Sequence, residues 1–371
     1  MKKLALVLGS LLVVGTAASA KEVVPAPVVV PEKVVEVVEK PVIVYRDREV
    51  EQGWKPNGSF EALYTVYGET ENKTAAEHDW ARDRSNAGRL QTITNVNFTE
   101  NQTLNLRTRN YHGLRSSMKG PGSYDEKDNW VSKAGNDELR LRHFYNFGTL
   151  GDSKVTAKSR LEYNQVANDG KKHLEASVAF DFSNYFFSND YFKVTEFALR
   201  PLYRYTWSGH NTNDNEMNRY GLSLETGFAF PFGFELDLNV HGRHDRKDGS
   251  FRYDDGKKSD TWAEIEAILS NSTNLYKAGN FGIDFAFEGG YDTYNVHKNK
   301  VVERKNGKNG ERRSYSLYAQ PSLVATYKPT EFVALTAQAG AEYRNWNVEK
   351  ESAAKLWRWQ PFVAAGVKVS F

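Results

Sequence analysis

The chain has 371 residues, balances 49 Lys plus Arg against 47 Asp plus Glu, and contains no cysteine. A near-neutral charge argues against a protein built to grip nucleic acid. With no disulfide available, an exported chain of this length must be stabilised by a large core, a sheet or a membrane.

Residues 1–20 read as a secretory signal peptide. Lys2 and Lys3 give a positive start, Leu4 to Val14 a short apolar run, and Ala18-Ser19-Ala20 a small-residue cleavage site. The run is too short for a spanning helix, and no later stretch approaches the roughly 20 apolar residues that one needs. Removing this leader takes the formal charge from +2 to zero, because Lys2 and Lys3 are its charged residues.

Residues 21–56 differ in composition. Pro25, Pro27, Pro31 and Pro41 punctuate a stretch rich in Val, Glu and Lys, which favours extended, semi-rigid chain. Between Pro31 and Pro41, Val34, Val35, Val37 and Val38 could share a helix face, with Glu36 and Lys40 paired four apart. The segment is read as a periplasmic linker that holds either a short helix or no regular structure.

From Asn57 to Phe371 apolar residues recur at every second position for about ten residues at a time, the period of a half-buried strand. Short turns, at Thr99-Glu100-Asn101, Gly148 to Asp152, Pro231-Phe232-Gly233 and Lys328-Pro329-Thr330, alternate with long polar connections at 70–85, 113–136, 245–259 and 295–312. That layout predicts an all-β fold, a transmembrane antiparallel β-barrel. The strands are expected at 57–69, 87–98, 102–112, 137–147, 153–164, 172–183, 191–207, 217–230, 233–244, 260–270, 280–294, 313–327, 331–346 and 356–371. The count is fourteen, or sixteen if 113–136 hides a hairpin. Both ends fall on the short-turn, periplasmic side.

The final residues carry a signal of their own. Val363, Ala365, Val367, Val369 and Phe371 form one apolar face that ends on an aromatic residue. Val367, Val369 and Phe371 are the expected recognition signal for the barrel assembly machinery. On the same outward parity, Phe98, Phe147, Phe182, Phe230, Tyr327 and Phe371 gather near one edge, and Tyr163, Tyr205, Tyr291, Tyr343 and Trp359 near the other. Two aromatic girdles around an apolar band of residues such as Val333, Leu335, Ala337 and Ala339 suit the lipid–water boundaries.

The opposite parity would line the lumen. Strands 102–112, 137–147, 153–164 and 191–207 direct Arg107, Arg109, Arg140, Arg142, Lys158, Arg160, Arg200 and Arg204 inward. Strands 217–230, 233–244, 260–270 and 280–294 direct Glu225, Glu235, Asp237, Glu264, Glu266, Asp284, Glu288 and Asp292 inward. In a fourteen-strand barrel the strand at 137–147 lies opposite that at 280–294. Side-by-side like charges are unfavourable, so the segregation suggests a transverse field across a wet channel. The loop 113–136, with Tyr124, Asp125, Glu126 and Asp128, is the candidate for a constriction, since the connection at 165–171 is too short.

Other signals are weaker. His241 and His244 lack clustered carboxylate ligands for a metal. The basic stretch 304–308 reads as solvated loop or lipopolysaccharide contact. No serine–histidine spacing selects a catalytic pair for a barrel enzyme.

The N-terminal segment resembles the fusobacterial major outer-membrane porins of the FomA type. The likeness runs from Thr16-Ala17-Ala18-Ser19-Ala20 and Lys21-Glu22-Val23-Val24-Pro25-Ala26-Pro27, through Pro31-Glu32-Lys33-Val34-Val35-Glu36, Glu39-Lys40-Pro41-Val42 and Tyr45-Arg46-Asp47-Arg48-Glu49-Val50, to Trp54-Lys55-Pro56-Asn57-Gly58-Ser59. Beyond that the match is one of pattern. The resemblance implies a fourteen-stranded general porin for small hydrophilic solutes, a periplasmic N-terminal segment, a homotrimer, and secondary use as a surface adhesin or antigen. It brings no catalytic residue and no cofactor. Two readings therefore stand beside the passive porin: an adhesin whose barrel mainly displays loops, and a barrel enzyme.

Overall fold

The computed structural model describes residues 32–38, 42–48, 54–69, 87–113, 137–166, 171–208, 216–248, 256–297, 313–348 and 358–371. The first two stretches form a hairpin by themselves, β1 (Glu32–Val38) with β2 (Val42–Arg48), paired from Glu32↔Arg48 to Val38↔Val42. This replaces the short helix that the valine spacing allows. The β-branched valines take the extended form that suits them.

Fourteen further strands follow: β3 (Asn57–Tyr67), β4 (Ala87–Thr99), β5 (Gln102–Gly113), β6 (Glu138–Thr149), β7 (Thr156–Val166), β8 (Lys171–Asp181), β9 (Lys193–Ser208), β10 (Met217–Phe230), β11 (Phe234–Lys247), β12 (Ser259–Ala278), β13 (Phe281–His297), β14 (Arg313–Tyr327), β15 (Val333–Val348) and β16 (Arg358–Ser370). Each pairs antiparallel with the next, and β16 returns to β3, so the sheet is a closed barrel. Closure removes the edges of this sheet. A barrel of this strand number is wider than the eight-stranded kind that side chains fill, and narrower than the 16–18-stranded kind that encloses an open channel.

At the seam, Gly58 N donates to Phe371 O (2.8 Å) and Phe371 N to Gly58 O (3.0 Å). A side chain at Gly58 would collide with Asn95 O and the Phe371 ring, so this close approach needs a glycine. Val367 and Val369 lie on β16 opposite Ala62 and Phe60, on the outward face.

Alternation of faces holds around the barrel. Leu139, Leu141, Leu161, Leu174, Leu222, Ile265, Leu323, Leu335 and Val363 point outward and are exposed. At the short-turn edge, Phe98, Phe147, Phe230, Tyr327 and Phe371 are exposed. Toward the other edge, ring contacts join Tyr163 to Trp207, Tyr203 to Tyr220 and Tyr343 to Trp359.

Two stretches depart from expectation. β12 runs to Ala278, well past the expected residue 270, and carries a register shift between Asn274 and Tyr276. The polar run Asn271-Ser272-Thr273-Asn274 reads locally as a turn, yet Asn271–Thr273 pair with Phe287–Phe285. The β8–β9 connection is long for its side and holds a short 3-10 turn at Ser183–Tyr185. The expected turn Pro231-Phe232-Gly233 is present as a three-residue connection between the paired Phe230 and Phe234, with φ of 63° at Phe232 and 73° at Gly233. The long connections 70–86, 114–136, 249–255 and 298–312, and with them Tyr124 to Asp128 and the basic run 304–308, lie outside the described residues, as do residues 1–31.

Candidate functional site

The interior of the barrel gathers the charged chemistry. Register pairing runs Ile93↔Arg107↔Arg140↔Asn164 and Gln91↔Arg109↔Glu138↔Val166 across β4 to β7, so these side chains share the inward face. Glu175↔Arg204↔Arg219↔Asp245 continues it across β8 to β11. Inward side chains form a dense polar belt: Gln91, Arg107, Glu175, Glu264, Glu342, Arg344 and Gln360 are all at most 2% exposed.

The arginines of the wall do not stand alone. Glu138 accepts from Arg107 Nη2 (2.7 Å), Arg109 Nη1 (3.1 Å) and Asn164 Nδ2 (2.7 Å). Glu162 accepts from Arg142 Nε and lies 2.9 Å from His173 Nε2. Glu175 accepts from Arg160 Nη2 (2.6 Å) and Arg204 Nε (2.8 Å). Arg200 Nε reaches both oxygens of Glu225, at 2.9 and 2.8 Å, and so joins one residue from each expected wall. The Lys158 ammonium sits 4.8 Å from the Phe144 ring centroid.

The acidic residues have partners of their own. Tyr318 Oη donates to Glu288 Oε1 (2.7 Å), and Asn274 Nδ2 to Asp284 Oδ1 (2.8 Å). Glu264 faces His241 across the β11–β12 pair and is buried. Glu235 and Asp237 lie on β11 near its short turn and are exposed. The side chain of Asp292 is outside the described residues, and its backbone falls at a register shift between Tyr291 and Thr293.

Residues that the sequence pattern did not single out complete the wall. Arg219 clamps Asp245 through Nε and Nη2, at 2.7 and 2.9 Å, and Trp262 Nε1 donates to the same carboxylate at 3.0 Å. Arg344 donates to Glu342. Glu138, Glu162, Glu175, Arg219, Asp245 and Arg344 all share the inward parity. Carrying the alternation through every strand finds them.

Ser223, His241 and Glu266 form a contact chain, with Ser223 Oγ 2.8 Å from His241 Nδ1 and His241 Nε2 3.4 Å from Glu266 Oε2. The order is that of a nucleophile, a base and an orienting carboxylate. Here, however, Arg243 Nη1 donates to the same hydroxyl (2.9 Å) and Ser223 is 1% exposed, an arrangement that cross-links three strands. His244 points to the opposite face of β11 and contacts Thr261 Oγ1, so the two histidines do not converge. Among the described residues no group of three or more His, Cys, Asp or Glu side chains is placed to hold a metal ion.

A closed antiparallel barrel with an apolar outer band, aromatic rims and a charged inner wall defines the class, a β-barrel of the outer-membrane kind. No protein-family model matches the chain, and no curated protein matches it in sequence. Among solved structures it is similar to a bacterial polysaccharide outer-membrane secretin, with 12% identity, 84% of this chain and 98% of that chain covered and a TM-score of 0.40. It is also similar to the outer-membrane channel DcaP of Acinetobacter baumannii, with 12% identity, 85% and 96% covered and a TM-score of 0.34. A third similar structure is an anion-selective porin from Comamonas acidovorans, with 11% identity, 85% and 100% covered and a TM-score of 0.33.

Proposed function

We propose that this chain is a bacterial outer-membrane porin, a passive channel for small hydrophilic solutes and ions. The carrying observation is the sorting of side chains by the closed sheet: apolar outward with aromatic rims, charged and polar inward. An inner wall of this kind has no use in a dry core, where uncompensated charge is costly, and suits a wet lumen. The resemblance of the N-terminal segment to FomA-type porins supports the reading, and with it a periplasmic N-terminal segment and a homotrimer embedded among lipid and lipopolysaccharide. Within the lumen, the arginine-rich strands β5 to β9 and the carboxylate-rich strands β10 to β13 would set a transverse field, weakened where Glu138, Glu162 and Glu175 neutralise their neighbours. The test is reconstitution of the full chain in a planar bilayer. Stable conductance steps with weak ion selectivity are expected. A folded barrel that inserts yet gives no steps would overturn the porin and favour a barrel that only displays its loops to adhesion partners.

A further inference from the structure

The connection between β8 and β9, residues 182–192, folds out over the lipid-facing wall. Phe197 pairs with Thr226 between the inward Glu196 and Ala198, so it points outward, and Phe228 and Phe230 share that face with Leu236 and Phe234. Phe186 packs on Phe197 with ring centroids 4.9 Å apart. The Phe192 ring lies 5.7 Å from Phe228 and 5.8 Å from Phe230. Val194 pairs with Phe228 on the same outward face and is only 8% exposed, whereas Leu222 and Leu238 on the neighbouring strands are bare. A sideways tie adds to these anchors. The Lys154 N–H of the β6–β7 turn donates to Tyr185 Oη and Asn184 Nδ2 donates to Lys154 O, both at 3.2 Å.

Beyond its anchors the connection shows bare rings. The Phe187 centroid is 5.9 Å from that of Phe192, yet Phe187 is 70% exposed, and Tyr185 and Tyr191 are exposed beside it. Other short turns of this edge carry Thr99-Glu100-Asn101 and Lys328-Pro329-Thr330, which suit water. Exposed rings gathered on one connection mark an interaction surface instead. Three observations choose lipid as the occupant. The rings continue the outward aromatic edge through Phe228 and Phe230. Tyr185 has a polar tip, with the Lys154 ammonium 6.0 Å from its ring centroid, and this mixture of apolar body, polar tip and cation favours the headgroup level. Lys154 and Lys193 balance Asp152 and Asp190, which leaves no net charge to select a charged protein. We propose that the β8–β9 connection is a membrane-docking foot, its exposed rings lying at the headgroup–acyl boundary of the periplasmic leaflet on one side of the barrel. The foot rests on the barrel spanning a bilayer and not on its conducting.

The chain has no cysteine, so a single introduced thiol can be spin-labelled without background. The full-length chain carrying Phe187→Cys, or Tyr191→Cys, is refolded into vesicles of phosphatidylethanolamine and phosphatidylglycerol. Collisions of the label with oxygen, which concentrates in lipid, and with a water-soluble nickel chelate report its depth. Leu323→Cys on the outer wall and Glu100→Cys at the polar β4–β5 turn set the two limits. Both foot labels are expected to show an oxygen-to-nickel ratio several-fold above that of the Glu100→Cys chain. Ratios equal to that of Glu100→Cys would place the connection in water and overturn the foot. Labels shielded from both reagents would mean a second copy of the chain over the rings, and would overturn it too. Heat-modifiable gel mobility selects the variants that fold, and Tyr191→Cys leaves the anchoring rings of Phe186 and Phe192 in place. The Leu323→Cys label separates the two readings. If it meets nickel as freely as Glu100→Cys does, the outer-membrane reading falls and the foot with it. If it is lipid-like while the foot labels are water-like, the foot alone is lost.

Discussion

The two sides of the inner wall solve the same problem differently. On β5 to β9, single carboxylates bridge several cations: Glu138 holds Arg107 and Arg109, and Glu175 holds Arg160 and Arg204. On β10 to β15, single arginines hold single carboxylates, as Arg219 does Asp245 and Arg344 does Glu342, while Arg243 donates to the Ser223 hydroxyl. The first side depends on its scarce negative charges and the second on its scarce positive ones. In each sector the minority sign is therefore the structural one, and the majority sign sets the charge of that side of the wall.

Removing a minority charge should break the comparison most visibly. Glu138→Gln leaves two buried guanidinium groups without their shared carboxylate, and loss of one partner from a buried pair costs about 3–5 kcal/mol. Urea unfolding of the barrel in lipid vesicles would show it, and a loss below about 1 kcal/mol would mean that the cluster is solvated rather than bridged. The matching change on the other side, Arg219→Met, strips Asp245 of two charge-assisted bonds but leaves Trp262. A smaller loss is expected, about 2–3 kcal/mol by the same measurement.

Majority charges should matter to ions more than to folding. Neutralising Arg107, Arg109, Arg140 and Arg142 together should move reversal potentials in a salt gradient toward cation preference. Neutralising Glu264, Glu266 and Glu288 should move them toward anions. Each shift corresponds to a few-fold change in permeability ratio, under about 1 kcal/mol. Equal potentials for the two variants would sink the transverse field. The smallest effect belongs outside both sectors. Lys154→Ala removes a cation–π contact with Tyr185 at a short turn, worth about 0.5–1 kcal/mol, and should leave selectivity untouched.

Much of the barrel is legible in the amino-acid sequence, and for a definite reason. A strand with one apolar face repeats at two residues, so the strand count, most boundaries and the inward parity of Arg107 or Glu288 follow from local pattern. Charge pairing is not local in that sense. Arg200 and Glu225 lie on neighbouring strands, and which carboxylate meets which guanidinium depends on register, set across two strands at once. Glu138 is still within reach of the pattern, because it sits on the parity of Arg140 at the edge of its strand. The tail of β12 is not, since Asn271 to Asn274 are turn-forming residues that become strand only by pairing with β13. The N-terminal hairpin shows the converse: helix spacing is available to its valines, and their branched side chains prefer the extended chain.

The seam between Gly58 and Phe371 bears on how the barrel comes to exist. Every other strand pair of the barrel joins neighbours in the sequence, and each can form as a hairpin of its own. The β16–β3 pair alone must bring together residues that the whole barrel separates. Its closure entropy grows only slowly with the length enclosed, but it cannot be recovered until the intervening strands already curve around to meet. The last contact in space is thus the last in time, and until it forms the sheet is an open ribbon with two sticky borders. A ribbon of that kind invites a second ribbon, so the step most exposed to misassembly is the one where an aromatic residue meets a glycine.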